Sequence, residues 1–254
     1  MMLNLAVLFF TPLVSGLTIF FVPKGRNTNF KLMLVFAGSY LFAITVIHIL
    51  PDLYTQHADF TFIGLFVLIG FFLQQLLEYF TSGIEHGHIH ATHEGRHVHD
   101  HSHNHTHDHA VSAIVLLLAL CVHAFLEGGM LTGSDTHRTN VILLGIALHR
   151  APAAFALMTV LAFQLHSRKK AIPYLVVFSI AAPVGLLLST YLMDAGILSS
   201  TGLVYLYALV SGNFLHISTT IVFESSPEHR FHAKKMVVAI GGSLLAVVIN
   251  YLVH

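Results

Sequence analysis

Eight apolar stretches of about twenty residues, separated by mostly short polar connectors, leave this chain few folds to choose from. They cover roughly 3–22, 30–50, 60–81, 111–133, 140–165, 172–193, 201–223 and 235–253. A bilayer's hydrocarbon core, about 30 Å thick, takes about 20 residues of helix to cross. Within lipid every backbone N–H and C=O must be satisfied inside the segment, which leaves the helix as the fitting element. The expected fold is therefore all-α: a polytopic membrane protein with eight transmembrane helices. Composition points the same way, with 55% hydrophobic and only 9% charged residues, where a soluble domain carries about 25% charged. The formal net charge is zero, so there is neither a nucleic-acid footprint nor an acidic tail. The single cysteine, Cys121, excludes an intramolecular disulfide and any cysteine-based zinc module. It reads as a small core residue.

Lysine and arginine set the orientation. With the N-terminus outside, the inner connectors hold Lys24, Arg26, Lys31, Arg96, Arg168, Lys169, Lys170, Arg230, Lys234 and Lys235, whereas the outer ones hold Arg138 alone. Both termini are thus expected outside, and residues 1–254 form a single integral membrane domain. Met1 to Pro23 lacks a basic region ahead of its apolar run, so it reads as a first span and not as a cleaved signal. The compact connectors suggest a bacterial cell (inner) membrane.

The third connector is the long one. Between Glu85 and Ala110 stand His86, His88, His90, His93, His97, His99, His101, His103, His105, His107 and His109, eleven of the 21 histidines. Such a tract has too few apolar groups to build a core, so 85–110 is expected to be a disordered cytoplasmic His-rich loop. Its imidazoles are largely neutral near pH 7 and therefore able to capture a metal ion.

Ionisable groups inside apolar helices mark functional sites by default. His123 and Glu127, in HAFLEGG of the fourth stretch, are four residues apart and share one helix face. His149, in HRAPAAFAL of the fifth stretch, lies about ten residues into a helix running the opposite way, so it should meet them at similar depth. Two imidazoles and a carboxylate are ligand types that suit Zn²⁺. Pro152 removes a backbone donor three residues beyond His149 and is expected to kink the helix and open a cavity. Arg150 is the natural partner of Glu127 and would balance its charge.

Further polar groups stand elsewhere along the spans. His48 and Asp52 flank Pro51 at the outer end of the second stretch and could form an entrance. Glu78, with Gln74 one turn before it, lies near the inner end of the third. Glu224, Glu228, His229 and His232 follow the seventh, and His216 sits mid-helix in SGNFLHIST as a pathway candidate.

Taken together, these residues resemble the ZIP (Zrt/Irt-like) metal transporters over nearly the whole chain. HILPD is similar to the family's second-helix ending HLLPE, and LLEYF to its third-helix end. AAPVG resembles APLG in the sixth helix, and SGNFLHISTTIVFESSPE a seventh-helix pattern ending in ELLPE. The resemblance implies a ZIP-like bundle and uptake of a divalent metal ion, zinc first, into the cytoplasm by alternating access. It carries the transport site over to His123, Glu127 and His149, and places Tyr40 where some members have another site-lining side chain. Fe²⁺, Mn²⁺ and Cd²⁺ stay open as cargo. Many members read HExPxE in the fifth helix and so hold a second metal. Here Arg150 takes the first acidic position, Ala153 and Ala154 replace the later one, and Ala124 stands where a polar ligand often follows the histidine. One transport metal is therefore expected, with the guanidinium standing in for the charge of the second.

Two other classes fit some of these features. An exporter of cation-diffusion type would show six helices and a soluble C-terminal domain. An intramembrane zinc hydrolase would use two His, a carboxylate and a water, but none of the eight apolar stretches carries an HExxH, and the one such run, His93 to His97, falls in the His-rich connector. The chain is therefore read as no enzyme, needing no catalytic cofactor. Its partners are the metal ion and the lipid bilayer, with a homodimer left open and no nucleic acid. Because a disordered tract cannot define a path through lipid, deleting 86–109 should change apparent affinity or regulation, measured as zinc uptake against concentration. Complete loss of uptake would overturn that view of the tract.

Overall fold

In the computed structural model, residues 1–21, 30–56, 58–81, 113–133, 136–224 and 233–253 are described, and among them there are helices and turns but no strand. The helices are α1 (Met2–Leu17), α2 (Phe30–Ile44), α3 (Leu50–Thr55), α4 (Phe60–Thr81), α5 (Ala113–Gly129), α6 (Thr136–Gln164), α7 (Arg168–Asp194), α8 (Ser200–Glu224) and α9 (Ala233–Val253). The His-rich tract 86–109, together with Glu228, His229 and His232, lies outside the described residues.

A π-helical turn, Thr45–Ile49, joins α2 to α3, so that Leu32–Thr55 is one span with a bulge. Pro51 follows at once. It has no N–H to give to the preceding turn and its ring crowds the carbonyl four residues back. A wider turn relieves that crowding, and such bulges recur at functional sites. The turn holds His48 buried.

Among the described residues, six helices are long and apolar enough to cross a membrane: Met2–Phe20, Leu32–Thr55, Phe60–Phe80, Thr139–Gln164, Arg168–Asp194 and Ala233–Leu252. The fourth and seventh expected spans differ from these. The fourth is the shorter apolar helix Ala113–Gly129, because its helix ends at Gly128–Gly129 and the chain continues through turns to Gly133. The seventh is long enough in α8, but Ser211, Asn213, His216, Ser218, Thr219 and Thr220 dilute its apolar character. The first four of these are buried against other helices, where lipid does not meet them.

The helices sort into two bundles. α7 packs on α1, α5 and α6, and α1 on α6, while α4 lies along α8, and α2 lies along α9 and against α8. The bundles meet along a seam made chiefly by α2 with α6 and α4 with α5. Lipid tails are as apolar as leucine, so close packing has to hold such helices together, and small residues allow it. In the first bundle a Cβ on Gly128 would stand 1.9 Å from the Ala182 carbonyl oxygen, and one on Gly185 would stand 2.0 Å from that of Phe125. In the second, Gly70 meets the Leu209 carbonyl, Gly212 that of Val67 and Gly242 that of Phe36. The seam is built otherwise: Gly129 faces the Leu206 side chain, and Gly145 the Tyr40 ring. Inside the bundles these five glycines rest on neighbouring backbone, while Gly16 and Gly38 meet the Leu175 and Ile221 side chains; across the seam the nearest neighbours of Gly129 and Gly145 are side chains.

Burial follows this plan. In α6, 72% of the apolar span is buried, and in the α2–α3 span 67%, against 11% in α9; the two most enclosed spans are those facing each other across the seam. Gly185→Val should therefore cost roughly 1–3 kcal/mol from overpacking and lower the melting temperature in detergent. Gly129→Ala, whose tightest new contact is the end of the Leu206 side chain at 3.3 Å, should change it little.

Candidate metal centre between α5 and α6

α5 and α6 bring His123, Glu127 and His149 to one point. One nitrogen or oxygen atom from each lies within 4.8 Å of the others, and all three side chains are buried. Helical periodicity supplies half of this: residues four apart stack along one face, which puts His123 Nε2 3.0 Å from Glu127 Oε1. His149 approaches from α6 with its ring perpendicular to that of His123, the centroids 5.8 Å apart. Tetrahedral zinc with bonds of about 2.0–2.1 Å holds its ligand atoms roughly 3.3 Å apart. The present spacing thus needs small side-chain rotations to close on an ion.

The second oxygen of Glu127 faces a cation. Arg150 Nε lies 3.9 Å from Glu127 Oε2, and the Arg150 side chain is fully enclosed. α7 fixes it on its other side. Arg150 NH2 donates to the Phe178 carbonyl at 3.0 Å, and the guanidinium carbon lies 4.8 Å from the centre of the Phe178 ring. An arginine stacked on an aromatic face loses little of its charge to solvent, so its field falls on Glu127. Ala124, Ala153 and Ala154 are buried without any ligand group, and Ala124 and Ala154 belong to the apolar core around α1, α5, α6 and α7.

α6 continues as helix through Pro152 from Thr136 to Gln164. A cavity of about 430 Å³ does lie beside Pro152, but it opens toward α1 and α2 and is lined by residues such as Met33, Phe36, Ala147 and Leu148, without His149. Tyr40 does not line the centre as the family resemblance implied. Its hydroxyl donates to the Val141 carbonyl at 3.3 Å, two turns before His149.

The other polar groups occupy separate places. His48 Nε2 lies 3.7 Å from Asp52 Oδ2 in the π-turn. Asp52 lines a cavity of about 370 Å³ with Gln56, Met130, Ile142 and Tyr207. Met130 comes three residues after Glu127, so the floor of this cavity lies one helical turn from the centre. Glu78 and His216 pair at 2.6 Å between α4 and α8, away from the trio. Glu224 ends α8. Phe178 was not legible as a functional residue, since an aromatic in an apolar helix carries no signal beyond core packing.

These features can be set beside known proteins. The model of the ZIP zinc transporter family matches residues 1–250. The chain belongs to that family. ZIP proteins are transporters and not enzymes, and they are integral to membranes, in keeping with the several apolar helices here. Zinc transporter ZIP9-A of Xenopus laevis is 30% identical over 172 residues, covering 63% of this chain and 52% of that protein. Zinc transporter ZIP9 of Micropogonias undulatus is 29% identical over 170 residues, 63% of this chain and 50% of its own length. Zinc transporter ZIP9 of Macaca fascicularis is 34% identical over 116 residues, 41% and 48% respectively. The chain thus spans about half the length of these relatives.

Removing one partner of a buried ion pair leaves the other charge uncompensated, at about 3 kcal/mol or more. Arg150→Met should accordingly lower the melting temperature of metal-free protein by several degrees, and added Zn²⁺ should restore part of the loss. An unchanged melting temperature would mean that Glu127 draws no support from Arg150.

Proposed function

We propose that this ZIP-family chain carries a divalent cation, zinc first, across the membrane into the cytoplasm by alternating access, through a single site made by His123, Glu127 and His149. The observation that carries this reading is the convergence of three buried ligand side chains from two neighbouring helices. The similarity to zinc transporters supports the cargo. Borderline Zn²⁺ accepts two nitrogens and one oxygen in a tetrahedral site and leaves a position for solvent. Ligand atoms spread up to 4.8 Å apart make a site that closes on its ion without locking it, which suits cargo that must leave.

In this reading eight spans cross the bilayer with both termini outside, and the ten cations of the inner connectors face the cytoplasm. The bundle of α1, α5, α6 and α7 carries the ion and moves against the bundle of α2, α4, α8 and α9, in the manner of transporters built from two rocking halves. The cavity lined by Asp52, whose carboxylate faces His48, admits the ion from outside, and Met130 lies on its wall toward the trio. Glu78, His216 and Glu224 mark the exit, and the histidines between 86 and 109 receive the ion beyond it.

Arg150 sets the number of ions. Its charge already opposes that of Glu127 within 4 Å, and no carboxylate stands at Ala153 or Ala154. A second divalent ion beside the first would meet a guanidinium and lack a compensating acid.

The test is metal uptake into liposomes holding purified protein. His123→Ala and Glu127→Ala should each abolish zinc flux, at least a hundredfold below wild type, and competition among Zn²⁺, Fe²⁺, Mn²⁺ and Cd²⁺ names the preferred cargo. Flux indifferent to both substitutions would overturn the site. Two ions resolved between α5 and α6 would overturn the single-ion reading.

A further inference from the structure

The contact between α4 and α8 holds a polar cluster that a simple helix pairing does not account for. The two helices run parallel and in register. Phe66 stacks flat on Tyr205 with centroids 4.8 Å apart, Gly70 rests on the Leu209 carbonyl, and Gly212 rests on that of Val67. Residues four apart share a face, so Gln74 follows Gly70 and Asn213 follows Leu209 into this interface. Glu78 and His216 occupy the next turn. His216 Nε2 lies 2.6 Å from Glu78 Oε2, and its ring stands edge-on to Phe71, 4.8 Å between centroids.

Gln74 and Asn213 have no exposed surface at all. Both amide atoms of Asn213, and Nδ1 of His216 three residues later, have no hydrogen-bond partner among the described residues. Buried polar groups in native proteins are nearly always paired, and an orphan amide three residues from an orphan imidazole nitrogen on the same helix calls for an explanation. A plain interhelical hydrogen bond needs Glu78 and His216 alone and leaves Asn213 as pure cost. A bound cation accounts for the acceptor atoms of this set, Asn213 Oδ1 and His216 Nδ1: one carboxylate, one imidazole and the oxygens of two carboxamides are ligands suited to a divalent ion.

We propose that Gln74, Glu78, Asn213 and His216 form a second station for a divalent cation. It stands on the bundle that does not carry the His123–Glu127–His149 centre. α5, which holds two of those ligands, touches both α4 and α8 along the seam, so the stations flank one helix contact and the ion passes from one body to the other. This inference rests on the transport reading and extends it to a discrete receiving site.

The experiment counts bound Cd²⁺ by equilibrium dialysis on full-length protein in detergent, with the eleven loop histidines changed to serine. Two ions per chain are expected. Glu127→Ala should leave one, His216→Ala should leave one, and the double variant none. Glu78→Gln keeps the shape of the side chain and should weaken the second ion at least tenfold, which covers the case where His216→Ala fails to fold. Both variants should slow uptake several-fold while the centre at Glu127 still fills. A parent protein that binds one ion, or two ions retained by both His216→Ala and Glu78→Gln, would overturn the second station and reduce the cluster to a structural pairing. Should Glu127→Ala keep both ions and full uptake, the mid-membrane centre is what fails, and the loss or retention of an ion in His216→Ala still decides the station on α4 and α8.

Discussion

Glu127 is wholly enclosed, in a chain whose helices are surrounded by hydrocarbon, and much of the interior is arranged around that carboxylate. A buried charge is tolerated only when it is paired and hydrogen-bonded. His123 meets one oxygen and Arg150 faces the other. Arg150 in turn is a buried charge, and α7 meets that demand with the carbonyl and ring of Phe178. The requirement thus passes from α5 to α6 to α7, through three of the four helices of one bundle. The glycine contacts between α5 and α7 at Gly128 and Gly185 bring these helices close enough for the chain of partners to close.

The division into two bundles is a matter of what touches what. Where the main chains of two helices press together, sliding one helix past the other drives carbonyl oxygens into Cα atoms, so the pair moves as one piece. Where a glycine faces the end of a leucine or the edge of a tyrosine ring, rotamers can adjust as the surfaces shift. The most buried spans, α6 and α2 with α3, lie on the two sides of this boundary, and so do the buried ionisable groups. His123, Glu127 and His149 belong to one body, whereas Asp52, Glu78 and His216 belong to the other.

Much of this was legible from residue pattern. The apolar stretches located the helices, and the four-residue spacing of His123 and Glu127 put them on one face. The depth of His149 in the next helix followed from counting. What escaped was whatever depends on contacts distant in sequence. Phe178 is one phenylalanine among twenty, and nothing local shows that its carbonyl would hold a guanidinium. Tyr40 was assigned to the centre by family likeness, yet its hydroxyl reaches Val141 because Gly145 lets the ring lie against α6. α8 was counted as an ordinary span, although its serines, asparagine and histidine dilute its apolar character. Their burial against neighbouring helices, invisible to a hydropathy window, is what makes that tolerable.

The π-turn at Thr45–Ile49 holds one residue more than an α-helix would place in the same rise. Each residue of an α-helix turns the chain by about 100°, so that surplus decides which way everything after it points. With it, Asp52 faces the cavity it shares with Met130 and Tyr207. Without it, the same aspartate would swing about a quarter-turn around the helix axis, and the cavity would lose its acid although no residue in its wall had changed. The angular position of the carboxylate is therefore encoded in chain length, and a single-residue deletion upstream would alter this cavity more than most substitutions within it.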